Sequence, residues 1–141
     1  MLGADARDRV WLDAIPGGTD AIVVMEGVSM YLRREELLEL LASLAERFGR
    51  VALLMDCYTV FAAKVSKYKN PVNEVGVSQL YGVDAPRELE RGNGLLFRRE
   101  HEMTPAELID KLPGGDRTFF ALLFAGGAAK KIYRLFEFGK A

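Results

Sequence analysis

Glu26 and Gly27 follow directly on a short apolar run, Ile22-Val23-Val24, and an acid at that position is the first candidate for chemistry. The run is β-branched and reads as a strand buried on both faces. Open α/β sheets meet their ligands at the carboxyl ends of such strands. A carboxylate there either touches a ligand or bonds nearby backbone amides, and the pattern leaves both roles open. Asp56 closes a second apolar run, Val51–Met55, and either faces a ligand or caps the helix that follows. Asp5 and Asp8 lie in a polar run without periodicity, which reads as solvated loop acids with Asp8 as a helix cap. His101 is the only histidine, so a metal site or a catalytic dyad built on several histidines is excluded. Its setting, R-R-E-H-E-M, is that of a surface side chain. Cys57 stands beside an acid rather than a cation, which does not activate a thiol. Ser29 lacks the G-x-S-x-G surroundings of a nucleophile elbow. Lys64, Lys67 and Lys69 around Tyr68 suit phosphate contacts, but such a run is more often just the wet face of a helix end. Gly92-Asn93-Gly94 lacks the third glycine of a dinucleotide fingerprint.

The elements that must position these groups are legible in part. Asp8 is expected to cap a short turn carrying Val10, Trp11 and Leu12, and Pro16-Gly17-Gly18 to turn the chain into the strand Ala21–Met25. From Arg34 to Phe48, leucines recur at three- and four-residue steps opposite Glu35, Glu39, Glu46 and Arg47, which predicts an amphipathic helix closed by Gly49 as its C′ residue. A helix is expected over Tyr58–Lys67 and another over Asp84–Glu90, with Asp84 as N-cap and Pro86 in its first turn. Between them, Asn70–Val83 is interrupted by Pro71, Gly76 and Gly82, with room for a helical piece over Val75–Tyr81. Leu95–Glu102 reads as a strand. Thr104-Pro105-Ala106-Glu107 fits a capping box opening a helix through Leu112. Pro113-Gly114-Gly115 breaks it, Arg117–Phe124 forms the next helix, and Lys131–Phe138 a closing strand. Strands alternating with helices imply an α/β layer architecture.

The totals bound the function. At 141 residues, half of them hydrophobic and 28% charged, the chain fits one ordinary domain. With 19 basic and 20 acidic residues the net charge is −1, so neither nucleic acid nor a membrane surface is an expected partner. One cysteine excludes an internal disulfide and favours a reducing compartment, and no apolar run approaches the ~20 residues of a membrane span. Met1–Trp11 lacks the apolar core of a signal peptide. A cytoplasmic location is the expectation.

E-G-V-S-M-Y-L at Glu26–Leu32, ahead of a leucine-rich helix, resembles the post-strand motif of the leucine carboxyl methyltransferase family, which includes the polyketide-synthesis O-methyltransferases of bacteria. D-A-R-D-R-V-W-L-D-A-I at Asp5–Ile15 resembles the segment before that motif, and K-I-Y-R-L-F-E-F at Lys131–Phe138 its last strand. The resemblance covers residues 1–141 as a single partial domain, the C-terminal portion of the family's own. It implies the class I S-adenosylmethionine-dependent methyltransferase fold: a doubly wound, mostly parallel α/β sheet with an antiparallel last strand. Ala21–Met25, Val51–Met55, Leu95–Glu102 and Lys131–Phe138 would be its strands four to seven. It further implies that Asp5 and Ala6 lie at the adenine of S-adenosylmethionine, although the family usually carries a larger residue than Ala6. Glu26, with Gly27, would meet the cofactor from the strand end. Tyr31 and Tyr68 become substrate-side candidates. The family's first strand, its glycine-rich loop, its ribose-binding acid and its carboxylate-orienting arginine have no counterpart here, so the edge of Ile22-Val23-Val24 is expected to stand open.

Two functions follow from the resemblance. One is methyl transfer from S-adenosylmethionine to a carboxylate or hydroxyl of a small molecule, which needs alignment more than acid–base help and so tolerates the lack of a catalytic histidine. The other is a non-catalytic α/β module in which the open edge is covered by a second copy or a partner chain, serving dimerisation or scaffolding.

Overall fold

The computed structural model describes residues 2–66, 79–123 and 127–140. Its centre is a four-stranded sheet in the order β1-β2-β4-β3. Strand β1 (Ala21–Met25) runs parallel to β2 (Val51–Tyr58), β2 pairs antiparallel with β4 (Tyr133–Lys140), and β4 pairs antiparallel with β3 (Leu95–His101). The last strand therefore inserts between the second and third, and β1 is left as an edge with one neighbour. Helix α1 (Arg34–Arg47) connects the two parallel strands as a crossover must. The mixed sheet with its antiparallel last strand is the expected partial class I architecture.

The main core lies on one face, and a smaller buried cluster of Met30, Ala63 and Leu80 packs on Tyr58 and Tyr133 at the carboxyl end of β2. Along β2, Val51, Leu53, Met55 and Cys57 alternate inward and meet Phe136 and Phe138 of β4 and Leu95 of β3. Leu37, Leu40, Leu41, Leu44 and Ala45 of α1 close over them, as the three- and four-residue leucine spacing dictates. Leu12, on a 3-10 helix (Arg9–Ala14) whose N-cap Asp8 accepts a hydrogen bond from the Val10 amide, completes the cluster. The opposite face is bare along β1: Ile22 is 79% and Val24 67% exposed. The apolar run is thus a strand, but not one buried on both faces. A run of β-branched residues reports that both sides suit apolar contact; whether a second layer exists is a matter of tertiary structure.

Several local readings shift. Gly49 follows the helix C-cap Phe48 but not in a left-handed conformation; it is small because a Cβ there would lie 2.7 Å from the Gly18 carbonyl oxygen, while its amide donates to Thr19 O at 2.8 Å. Strand β2 runs on through Asp56 to Tyr58, since β4 pairs with it that far. Helix α2 (Val60–Val65) is capped by Thr59 and by Asp84, whose Oδ1 accepts from Val60 N at 2.9 Å. Asp84 is thereby drawn away from the short 3-10 helix Pro86–Glu90, which starts at Ala85. Helix α3 (Ala106–Ile109) has Pro105 at its N-cap and no capping side chain, so the capping box does not form. Pro113 opens helix α4 (Gly114–Leu123) rather than breaking a longer one, its carbonyl accepting from Arg117 N at 2.8 Å. Gly127 starts the short helix α5 (Gly127–Lys130). Lys67, Tyr68 and residues 70–78 fall outside the described residues, and Gln79–Val83 carries no regular element.

Because Leu53 is fully buried between α1 and the sheet, Leu53→Ala is expected to cost about 2–5 kcal/mol. A urea titration reads this as a lowered midpoint at unchanged slope. A loss below about 1 kcal/mol, the ordinary figure for a surface change, would place the core elsewhere.

Candidate functional site

The carboxyl ends of β1 and β2 and the start of β4 are laced together at one carboxylate. Asp56 is 4% exposed, and both its oxygens accept the Gly27 amide, each at 2.9 Å. Its Oδ2 also accepts the Tyr133 hydroxyl at 2.5 Å. Gly27 holds φ +66, a left-handed conformation that side-chain-bearing residues avoid, so the chain can reverse straight after Glu26. Beyond it, the Ser29 hydroxyl donates to the Asp56 carbonyl and lies 3.5 Å from Cys57 Sγ. Thr59 N donates to Ile132 O at 3.0 Å and Thr59 Oγ1 to Lys131 O at 2.6 Å, fastening the exit of β2 to the entry of β4. Tyr81 N to Met30 O and Val83 N to Tyr58 O, both 2.8 Å, lay the following segment across the same end.

Glu26 itself is exposed and makes no hydrogen bond or ion pair among the described residues, so its carboxylate is free to accept from a ligand. Asp5, Ala6 and Tyr31 line one open depression of about 530 Å³, together with Val28 and Tyr81. Val28 and Tyr31 come from the loop that Glu26 and Gly27 begin and the 3-10 helix Ser29–Tyr31 that follows it. Ala6 is half-buried, packed against the core while lining the depression. The Asp5 carboxylate accepts from Arg7 N at 2.9 Å and from the Arg7 guanidinium, which together hold its pKa down to about 2. It is a fixed anion at neutral pH, and a donor from a ligand would replace the exposed guanidinium rather than the backbone amide.

Burial pushes the Tyr133 hydroxyl well above the usual tyrosine range, and the adjacent Asp56 and Glu26 add to the shift. Tyr133 also stands edge-on to Tyr58, ring centres 5.3 Å apart. Burial raises the Cys57 thiol to about 11, which agrees with its reading as an inert side chain. His101, the last residue of β3, has its Nε2 2.6 Å from Glu137 Oε2, which also accepts from Arg99 at 2.7 Å; the histidine is half-buried there rather than a plain surface side chain.

The residues named from the sequence divide accordingly. Asp5, Ala6 and Tyr31 share the depression, and Glu26 and Gly27 stand at the strand end that leads into it. The Gly27 amide is committed to Asp56, so Gly27 acts through its backbone shape. Tyr68 is outside the described residues. Asp56 neither caps α2 nor points freely at a ligand; it braces the turn after Glu26. Tyr133, 77 residues away in the chain, had no local signal, because only strand insertion brings its hydroxyl to Asp56.

No family model matches the chain. Over 110 residues it is 31% identical to the tetracenomycin polyketide synthesis O-methyltransferase TcmP of Streptomyces glaucescens, covering 77% of this chain and 41% of that protein. Its fold matches magnesium protoporphyrin IX methyltransferase (ChlM) of Synechocystis PCC 6803, solved with bound SAH, at a TM-score of 0.51 and 14% identity, covering 99% of this chain and 50% of that one. The fold is therefore that of part of a class I S-adenosylmethionine-dependent methyltransferase, carrying strands four to seven. The sequence is more narrowly related to a bacterial polyketide O-methyltransferase, of which this chain spans less than half the length. Among the described residues no helix is long and apolar enough to cross a membrane.

Tyr133→Phe removes the hydroxyl that meets Asp56 and is expected to cost about 1–3 kcal/mol near neutral pH. The native protein retains the phenolic proton after the unfolded chain has released it. The hydroxyl's contribution is thus full below about pH 10 and falls as pH rises above it. Thermal midpoints measured against pH should therefore fall less steeply on the alkaline side for Tyr133→Phe than for the parent. Parallel alkaline slopes would show that the hydroxyl titrates as it does in the unfolded chain.

Proposed function

We propose that this chain forms part of an S-adenosylmethionine-dependent O-methyltransferase acting on a carboxylate or hydroxyl of a small molecule, with a polyketide the nearest chemical model. The carrying observation is that Asp5, Ala6 and Tyr31, separated in sequence, come together on one depression, which Val28, two residues beyond the acid Glu26, also lines. The relationship to TcmP supports oxygen as the methyl acceptor. S-adenosylmethionine, when bound, supplies an activated methyl group. In this chain Asp5 and Ala6 would flank the adenine, as acceptor and apolar wall. Glu26 would accept a hydrogen bond from the cofactor at the end of β1. Tyr31 would border the acceptor side, and Tyr68 remains a candidate for the same side. The protein's task is then to align the acceptor oxygen with the methyl group. A cytoplasmic location accompanies the reading, on the single unpaired cysteine.

Calorimetric titration of S-adenosylhomocysteine into the chain tests this. Binding weakened by Glu26→Ala, by about ten- to a hundredfold for a lost charged hydrogen bond, is the expected result. A folded chain without measurable binding would mean that these residues alone do not make a cofactor site.

A second reading is favoured by the bare strand. Ile22 and Val24 are exposed on a strand that, among the described residues, pairs on one side alone. Such an edge is a template for another chain, and a homodimer or partner covering it would make this unit a non-catalytic association module. Sedimentation of the parent should then show dimers, and Ile22→Lys with Val24→Lys should shift them to monomers without lowering the thermal midpoint. A parent that sediments as a monomer at all concentrations removes this reading.

A further inference from the structure

We propose that Asp56, held by Tyr133, is the positioning residue that aims Glu26 at its ligand, acting through the Gly27 amide; this rests on Glu26 being a cofactor contact. The argument starts from cost. A carboxylate that is 4% exposed loses most of its hydration, and the strand-end amide it satisfies could be met by a neutral carbonyl or by water. Asp56 forms no ion pair among the described residues; its oxygens are met by the Gly27 amide and the Tyr133 hydroxyl. The first of these holds the residue immediately after Glu26, and the second holds the carboxylate that does so. The bidentate acceptance of a single N–H fixes the plane of the Glu26–Gly27 peptide, in a backbone conformation (φ +66) that glycine could otherwise leave freely. The Tyr133 hydroxyl, steadied against the edge of the Tyr58 ring, fixes the carboxylate in turn. A relay from β4 through β2 to β1 thus ends at the free carboxylate of Glu26. Side chains that act on a ligand need such support from groups whose own geometry is locked.

The role separates from plain stability by coupling. The parent, Glu26→Ala, Asp56→Asn, Tyr133→Phe and the two double variants with Glu26→Ala are titrated with S-adenosylhomocysteine, while the Gly27 amide is followed by NMR and hydrogen exchange. Asp56→Asn keeps the shape but replaces one acceptor by a donor, and Tyr133→Phe leaves the carboxylate in place as the milder variant should Asp56→Asn fail to fold. The expected result is an affinity loss of about tenfold in either variant, with Asp56→Asn or Tyr133→Phe adding less than twofold once Glu26→Ala is present, as for residues acting through one another. The Gly27 amide should shift and lose protection while the β2 amides keep theirs. Additive losses, or a Gly27 amide unchanged in both variants, would overturn the proposal. If the parent binds no S-adenosylhomocysteine, the functional reading of Glu26 fails, and the aiming role fails with it. The amide result then shows separately whether Asp56 sets the turn.

Discussion

The antiparallel pairing of β2 with β4, from Ala52 opposite Gly139 to Tyr58 opposite Tyr133, is the constraint on which the remaining structure depends. It places Leu53 and Met55 beside Phe136 and Phe138, and these four fully buried side chains are the floor on which α1 rests. Without β4 in that position, β2 would be left with β1 alone, and two strands do not sustain a sheet. The same pairing carries Tyr133 to Asp56 and so connects the core to the strand ends where the candidate site lies. Core and site are consequences of one register, and a slip by one residue would turn Asp56 inward and Cys57 outward.

The sheet is finished on one face and unfinished on the other. Helix α1 and the N-terminal 3-10 helix cover the leucine-rich side, while Ile22 and Val24 stand in the open along β1. In doubly wound sheets both faces are ordinarily covered, so β1 carries residues suited to a layer absent from the described residues. Glu26, the proposed cofactor contact, directly follows β1, and the open edge runs along that strand. The enzymatic and associative readings are therefore not independent: whatever pairs with β1 also borders Glu26.

The electrostatics around the strand ends are uneven. Elsewhere several acids and bases meet in pairs, exposed ones such as Arg50 with Asp20 and Arg34 with Glu88, worth little individually, and the half-buried Arg134 with Glu100. At the strand ends, Asp56 is satisfied by neutral donors and Glu26 by none among the described residues. A folded chain tolerates such an imbalance where a group is held ready for something else.

By itself the sequence determined the elements whose cause is local. The leucine spacing set α1, the apolar β-branched run set β1, the Asp8 cap set the first 3-10 helix, and the E-G-V-S-M-Y-L motif led to the fold and to the candidate residues. Through the resemblance it marked Asp5 and Ala6 for the adenine and Tyr31 for the substrate side, and tertiary structure brought the three to one depression. Tertiary structure alone decided that β2 extends to Tyr58, that Asp84 caps α2 rather than its own neighbour, and that Gly49 is required by the Gly18 carbonyl instead of by a left-handed turn. It alone decided that one side of β1 is bare and that Asp56 answers Gly27 and Tyr133. The division has a physical reason. Periodicity and capping act over a few residues and are written in the order of the chain. Strand insertion, second-layer cover and hydrogen bonds spanning 29 and 77 residues depend on where distant segments come to rest.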